Sequence, residues 1–261
     1  MTPLTAGNAR VKEARRLSRR SVRSERRLFL ADGPKAVEAA LSRPGCVVEL
    51  FTTPTGLALL PQSDDGDGGP PVHLVDDRAM AALSDAVSPA GVVAVCRHLD
   101  RPVDAVLDGA SMVAICAEVR DPGNAGTIIR TADAAGADAV VLAGDAVDLH
   151  NPKTIRASVG SAFHLPIAQE RDVVAAVAAA RAGGLTVLAA DGTGEIDLYR
   201  VGEIAPGPVA WLFGNEAWGL PAETAALADH RVRIPIHGRA ESLNLATAAA
   251  LCLYESARSR S

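Results

Sequence analysis

The 261-residue chain is poor in cysteine and lysine and has no long apolar run. Cys46, Cys96, Cys116 and Cys252 are its only thiols; none forms a C-x-x-C pair, and each lies in an apolar stretch. This excludes a zinc ribbon or a disulfide framework and reads as four reduced core residues, so no metal is expected. Lys12, Lys35 and Lys153 are the only lysines among 26 basic residues. No apolar stretch reaches membrane-spanning length, and the basic N-terminal region passes into regular structure at "RRLFLADGPKAVEAAL" without a secretory core. The absence of a strand-linked G-x-G-x-x-G or Walker sequence counts against the common nucleotide-cofactor folds. A cytoplasmic protein with no membrane partner is the expectation.

What is present is ordinary globular material, 48% hydrophobic and 22% charged, long enough to favour two domains. The net charge of −5 argues against a protein coated in nucleic acid. The charge is nevertheless uneven: from Arg10 to Arg27 nine basic residues stand against Glu13 and Glu25. That asymmetry fits either a polyanion partner or a solvated basic helix.

Beyond the basic helix, "RLFLADG", "CVVELFTT", "PVHLVDD" and "GVVAVCRH" read as short strands, alternating with helices at "PKAVEAALS" and "DRAMAALSDAVS". "PQSDDGDGGPP", Pro61–Pro71, reads as a flexible polar loop. "HLDRPVDAVLDGAS", from His98, marks a composition shift and a candidate linker. From Ser111 a second series of strands begins: "MVAICAEV", "DAVVLAG", "LTVLAADG", "VAWLFG" and "HRVRIPI". Apolar strands joined by helices imply a parallel sheet covered on both faces, with ligands bound at the carboxyl ends of its strands.

Three polar clusters fall at such ends. In "VRDPGNAGTIIRTADAAGA", Asn124 can cap the following helix, and Arg130 stands beside Ile128, Ile129 and Ala132, where a desolvated guanidinium needs an anionic or carbonyl partner. In "WLFGNEAWGLP", Gly214 permits close approach of a ligand to backbone, and Asn215 and Glu216 follow it. In "RIPIHGRAESLNLATAAAL", Ser242 and Asn244 mark the start of a last helix, where Ser242 reads equally as its N-cap or as a ligand contact. That helix is apolar nearly all round from Leu243 to Tyr254, so it must be covered on every side.

In this order and spacing the clusters resemble the three motifs of the SpoU family of ribose 2′-O-methyltransferases, within the SPOUT superfamily. "NAGTIIRT", "FGNEAWGL" and "IPIHGRAESLNLATAAALCLYE" carry the resemblance, which extends from about Met112 to Ser256, and "NPKTIRASVGSAFHLPI" is similar to the segment between the first two motifs. The N-terminal part resembles, more weakly, an L30e-like RNA-binding domain. The resemblance implies an α/β protein with a smaller L30e-like substrate-binding domain at 1–105 and a trefoil-knot methyltransferase domain with a parallel sheet at 106–261. It implies S-adenosylmethionine as cofactor, held by Ala190, Asp191, Gly192, Gly214, Asn215, Glu216, Ile234, Ile236, Ser242, Leu243, Asn244 and Ala246.

It further implies methylation of RNA 2′-hydroxyls, with 23S ribosomal RNA favoured and transfer RNA the alternative; a non-catalytic RNA-binding protein of the same fold is the rival from another class. Arg130 is expected to contact the 2′-hydroxyl, assisted by Asn124, Glu216, Ser242 and Asn244. RNA contacts are expected from Arg15, Arg16, Arg19, Arg20 and Arg156. A homodimer with shared active sites is expected to cover the last helix.

Overall fold

The computed structural model describes residues 2–60 and 69–260, so most of the loop expected at Pro61–Pro71 lies outside the described residues. The chain forms two compact units, residues 1–99 with 150–164 and residues 100–149 with 165–261. Segment 150–164 thus packs in the first unit, although it lies beyond the boundary expected at 105/106.

In chain order the first unit contains α1 (Ala9–Arg15), α2 (Arg20–Arg26), β1 (Leu28–Asp32), α3 (Pro34–Leu41), β2 (Val47–Thr52), α4 (Pro54–Leu57), β3 (Val72–Leu74), α5 (Asp77–Leu83) and β4 (Val92–Arg97). The second begins with α6 (Val103–Leu107), β5 (Met112–Ala117), α7 (Pro122–Ala134) and β6 (Ala139–Ala143). After α8 (Pro152–Ala157) and α9 (Ser161–His164) of the first unit, it resumes with β7 (Ile167–Glu170), α10 (Val173–Ala182), β8 (Thr186–Ala190), β9 (Ile196–Asp197), α11 (Val201–Ile204), β10 (Val209–Phe213), α12 (Ala222–Ala225), β11 (His230–Arg233) and α13 (Leu245–Arg260).

The first sheet has the order β1-β4-β2-β3, antiparallel except for the β2/β3 pair. Its core gathers Leu17, Leu30, Phe51, Met80 and Val93. The expected single basic helix is broken. A 3-10 turn at Arg16–Ser18 separates α1 from α2, and Arg19 is extended. The cause is Arg23, which is buried and donates to the carbonyls of Leu17 and Ser18 at 3.0 and 2.8 Å, taking acceptors that a continuous helix would use.

The second sheet is parallel throughout, in the order β7-β6-β5-β10-β8-β11-β9. Its central strands β5, β6 and β10 are buried at every residue, as a sheet covered on both faces requires. From β5 the order runs to β6 and β7 on one side and to β10 and β8 on the other, so the switch point lies between β5 and β10. The candidate linker from His98 is not a bare connection: it contains α6, whose Val106 and Leu107 are buried in this core.

Two expected helix caps shift. Asp121, not Asn124, caps α7, its Oδ1 accepting from the Asn124 N–H at 2.7 Å, while Pro122 supplies a preset φ at the first helical position. The last helix starts at Leu245, and Asn244 caps it by accepting from the Ala246 and Thr247 N–H groups at 2.9 and 3.3 Å. Ser242 stands two residues before that cap. On α13, Ala246, Ala249, Cys252 and Leu253 are buried, and the Trp211 indole donates to Ser256 Oγ at 2.9 Å. Leu251 and Tyr254 remain 44% and 53% exposed, so one chain does not cover this helix all round.

Candidate active site

The carboxyl ends of β8, β10 and β11 open onto a cleft of about 290 Å3. Ala190, Asp191 and Gly192 enter it from β8, Phe213 to Ala217 from β10, Val232, Ile234 and Ile236 from β11, and Glu241, Ser242 and Leu243 from the approach to α13. Ten of the twelve residues expected to hold a cofactor line this space. Asn244 and Ala246 do not; Asn244 faces the helix it caps, and Ala246 is buried.

The wall beyond β10 is a closed turn. Asn215 and Gly219 exchange backbone hydrogen bonds, each 2.9 Å, and Gly219 has φ +69°. A Cβ on Gly214 would fall 2.3 Å from the Gly219 carbonyl carbon, so only glycine allows this approach. Asn215 is buried and its amide donates to the Glu118 carbonyl at 2.8 Å, fastening the turn to the end of β5.

Glu216 then ties the three clusters together. Its carboxylate accepts from the backbone N–H groups of Arg120 and Asp121 at 3.3 and 3.1 Å and from the Asn124 amide at 3.3 Å. In turn the Asn244 amide donates to Asn124 Oδ1 at 3.1 Å. An acidic group at the start of α7 also sits favourably against the positive end of that helix. The nearby Cys116 thiol is pushed up to about 12 by burial and by the Glu216 charge, so it is no nucleophile here.

Arg130 lies elsewhere. The inward positions of α7 are Ala125, Ile128, Ile129 and Ala132, whereas Thr127, Arg130 and Ala134 are exposed. Its guanidinium is on the outer face of the helix, not among buried neighbours as expected, and does not line the cleft.

Arg15, Arg16, Arg19 and Arg20 are exposed on the first unit, with Arg16 paired to Glu13 at 3.2 Å. Arg156, expected to contact RNA, instead has its guanidinium bound to Asp85 and, at 3.2 Å, to the buried Asp32. Burial raises the Asp32 pKa, opposed by Ser84 and Arg156.

Beyond the residues given a catalytic or cofactor role from sequence, the site also contains Glu118, Arg120, Asp121, Trp218 and Glu241. Three belong to one charged run directly after β5, which is the signal that marks them. Arg120 lies 5.3 Å from the Trp218 ring centre and also pairs with Asp145 at 3.2 Å.

Comparison with known proteins assigns both halves of the chain. Residues 111–254 match the model of the SpoU rRNA Methylase family, and residues 8–94 match an MRM3-like substrate binding domain. The chain is 35% identical over 251 residues, 96% of each protein, to the 23S rRNA (guanosine(2553)-2′-O)-methyltransferase RlmP of Bacillus subtilis. Among solved structures it is similar to an AdoMet-bound rRNA methyltransferase from Sinorhizobium meliloti, with 36% identity, TM-score 0.85 and 98% and 97% of the two chains covered. It is also similar to the SpoU methyltransferase AviRb from Streptomyces viridochromogenes, with 31% identity, TM-score 0.81 and 97% and 98% covered.

Proposed function

Because the chain belongs to the SpoU rRNA methylase family, we propose that it transfers a methyl group from S-adenosylmethionine to a ribose 2′-hydroxyl of ribosomal RNA, with 23S ribosomal RNA as substrate. The observation that carries this is the Glu216 tie, which joins the first, second and third clusters beside one cleft at the carboxyl ends of a parallel sheet.

The cleft residues fit a nucleoside bearing an amino-acid tail. Ile234, Ile236 and Leu243 supply apolar walls for a purine, and Asp191, Glu216 and Glu241 are carboxylates suited to its ammonium and sulfonium charges. When bound, S-adenosylmethionine supplies a methyl group on a positively charged sulfur. The protein must align a 2′-oxygen with that carbon and stabilise the charge that develops as its proton leaves. Asn124 and Glu216 hold the turn that frames this position, with Asn244 supporting them and Ser242 lining the cleft. Arg130 is assigned to the 2′-oxygen as a fixed positive charge, because a guanidinium does not readily give up its proton.

An Arg130 on the outer face of α7 serves a cleft only if a second chain presents it, so the reading includes a homodimer with shared sites. Supporting this, α7 packs beside α13, whose Leu251 and Tyr254 are exposed apolar residues. The reading also includes a trefoil knot. Its support is the order β8-β11-β9, in which a later strand lies between two earlier ones, and the passage of Gly194 against Arg231, where a Cβ would come within 2.7 Å of backbone. The first unit, residues 1–99 with 150–164, is assigned to RNA binding, with Arg15, Arg16, Arg19 and Arg20 on phosphates, and the second, residues 100–149 with 165–261, to transfer, in the cytoplasm. No described helix is long and apolar enough to cross a membrane.

Incubation with methyl-labelled cofactor and total RNA, followed by mapping of the label, tests the reading. Label on a ribose of 23S ribosomal RNA is the expected result; label on transfer RNA, or none, refutes it.

A further inference from the structure

The chain contains two tryptophans, and they stand in opposite environments. Trp211 is wholly buried with its indole nitrogen bonded to Ser256. Trp218 is 52% exposed, on the turn that forms one wall of the cleft, between Ala217 and Gly219, which both line it. A tryptophan half open to water forgoes much of the burial that makes this residue stabilising, and the reciprocal Asn215–Gly219 bonds that close the turn need no indole.

What the ring does have is a cation. The Arg120 guanidinium carbon lies 5.3 Å from its centre, and the same arginine is anchored twice, through its backbone N–H to Glu216 and through its side chain to Asp145. Arg120 therefore places a positive group against a ring of which about half is exposed. On the segment between β11 and α13, His237 and Arg239 are exposed beside the cleft-lining Ile236. A half-exposed aromatic ring, an arginine against it and further basic groups near the same cleft are the ingredients by which proteins hold unstacked single-stranded bases.

We propose that Trp218, backed by Arg120, is the stacking platform for a nucleobase of the RNA substrate, holding the target nucleotide or its neighbour unstacked at the mouth of the cleft. This rests on the methyltransferase reading for the identity of the substrate. A ribose hydroxyl within folded RNA is reached more easily when its nucleotide is drawn out of the stack, and a sequence-tolerant aromatic surface meets that need. The platform acts on RNA and leaves the cofactor side of the cleft alone.

The test uses the emission of the full-length protein, since Trp218 is its only exposed indole. A single-stranded oligoadenylate decamer should quench the emission, and an abasic ribose-phosphate decamer of equal charge should bind without quenching. Trp218→Leu, which keeps an apolar side chain without a π-face, should weaken oligoadenylate binding about fivefold or more, while Trp218→Phe retains most of it. With RNA methylation as readout, the leucine variant should raise KM for RNA more than it lowers kcat. S-adenosylmethionine binding, followed by calorimetry, should be equal in all three proteins. Absent quenching, or Trp218→Leu matching the parent in RNA affinity, overturns the platform, as does a leucine variant whose defect is loss of a dimer in sedimentation. Failure of the parent protein to bind S-adenosylmethionine would instead overturn the methyltransferase reading, so the two failures are distinguishable.

Discussion

Replacing Glu216 with glutamine changes one oxygen to an NH2 group and should separate the turn after β10 from the start of α7. In the parent, Oε1 accepts from the Asp121 N–H and the Asn124 amide, and Oε2 from the Arg120 N–H. All three partners are donors. Glutamine keeps one acceptor oxygen, so whichever way the amide turns, its NH2 faces at least one N–H and that bond is lost. Hydrogen bonds to a charged group contribute about 1.5–3 kcal/mol each, but lengths of 3.1–3.3 Å and an exposed carboxylate place these below that range. One bond lost and two neutralised amount to about 1–2 kcal/mol, or roughly 5- to 30-fold in kcat/KM if the frame is needed in the transition state. Single-turnover methyl transfer measures this. A double-mutant cycle of Glu216→Ala with Asn124→Ala adds a sharper criterion, because directly bonded partners should show a coupling of about 0.5 kcal/mol or more. Parental turnover in Glu216→Gln, or strict additivity in the cycle, would refute the tie as the element that assembles the site.

Gly214→Ala drives a Cβ into the Gly219 backbone at 2.3 Å and must open the Asn215–Gly219 turn. A loss of about 2–4 kcal/mol in urea unfolding, together with lost cofactor binding, is expected; a variant within about 0.5 kcal/mol of the parent contradicts the geometry. Changing Arg15, Arg16, Arg19 and Arg20 together to alanine should weaken RNA binding and reduce the slope of log K against log salt by about 0.7–0.9 for each phosphate no longer neutralised. An unchanged slope returns these residues to a solvated surface. Leu251→Glu should give a folded monomer with little activity, because it places a charge on the face assigned to a second copy. An active Leu251→Glu monomer in sedimentation rules out shared sites.

How far the sequence reveals this molecule differs from element to element. The central strands are legible because a parallel sheet buried on both faces leaves no polar residue in "MVAICA" or "VAWLF". The small β9, Ile196–Asp197, is not, since two residues carry no period and its place depends on β11 pairing beside it. Caps are legible as a class but not by position: Asp121, Asn124, Ser242 and Asn244 are all capping types, and which one caps depends on where the helix starts. The Arg156 pairing with Asp32 and Asp85 joins residues far apart in the chain, and no local pattern announces it.

Arg130 and the last helix show what position on a helix adds to composition. Neighbours in sequence are about 100° apart on a helix, so Ile128 and Ile129 beside Arg130 do not imply that Arg130 is buried with them. On α7 the exposed line is Thr127, Arg130 and Ala134; on α13 it is Thr247, Leu251 and Tyr254, each at spacings of three or four. The two helices pack together, so a cation and two apolar side chains are left uncovered on neighbouring elements. In isolation each has an ordinary surface explanation. Considered jointly, an arginine outside the cleft between β8, β10 and β11 and a helix with exposed apolar side chains are both accounted for by the proposed second copy of the chain, which would cover the one and receive the other.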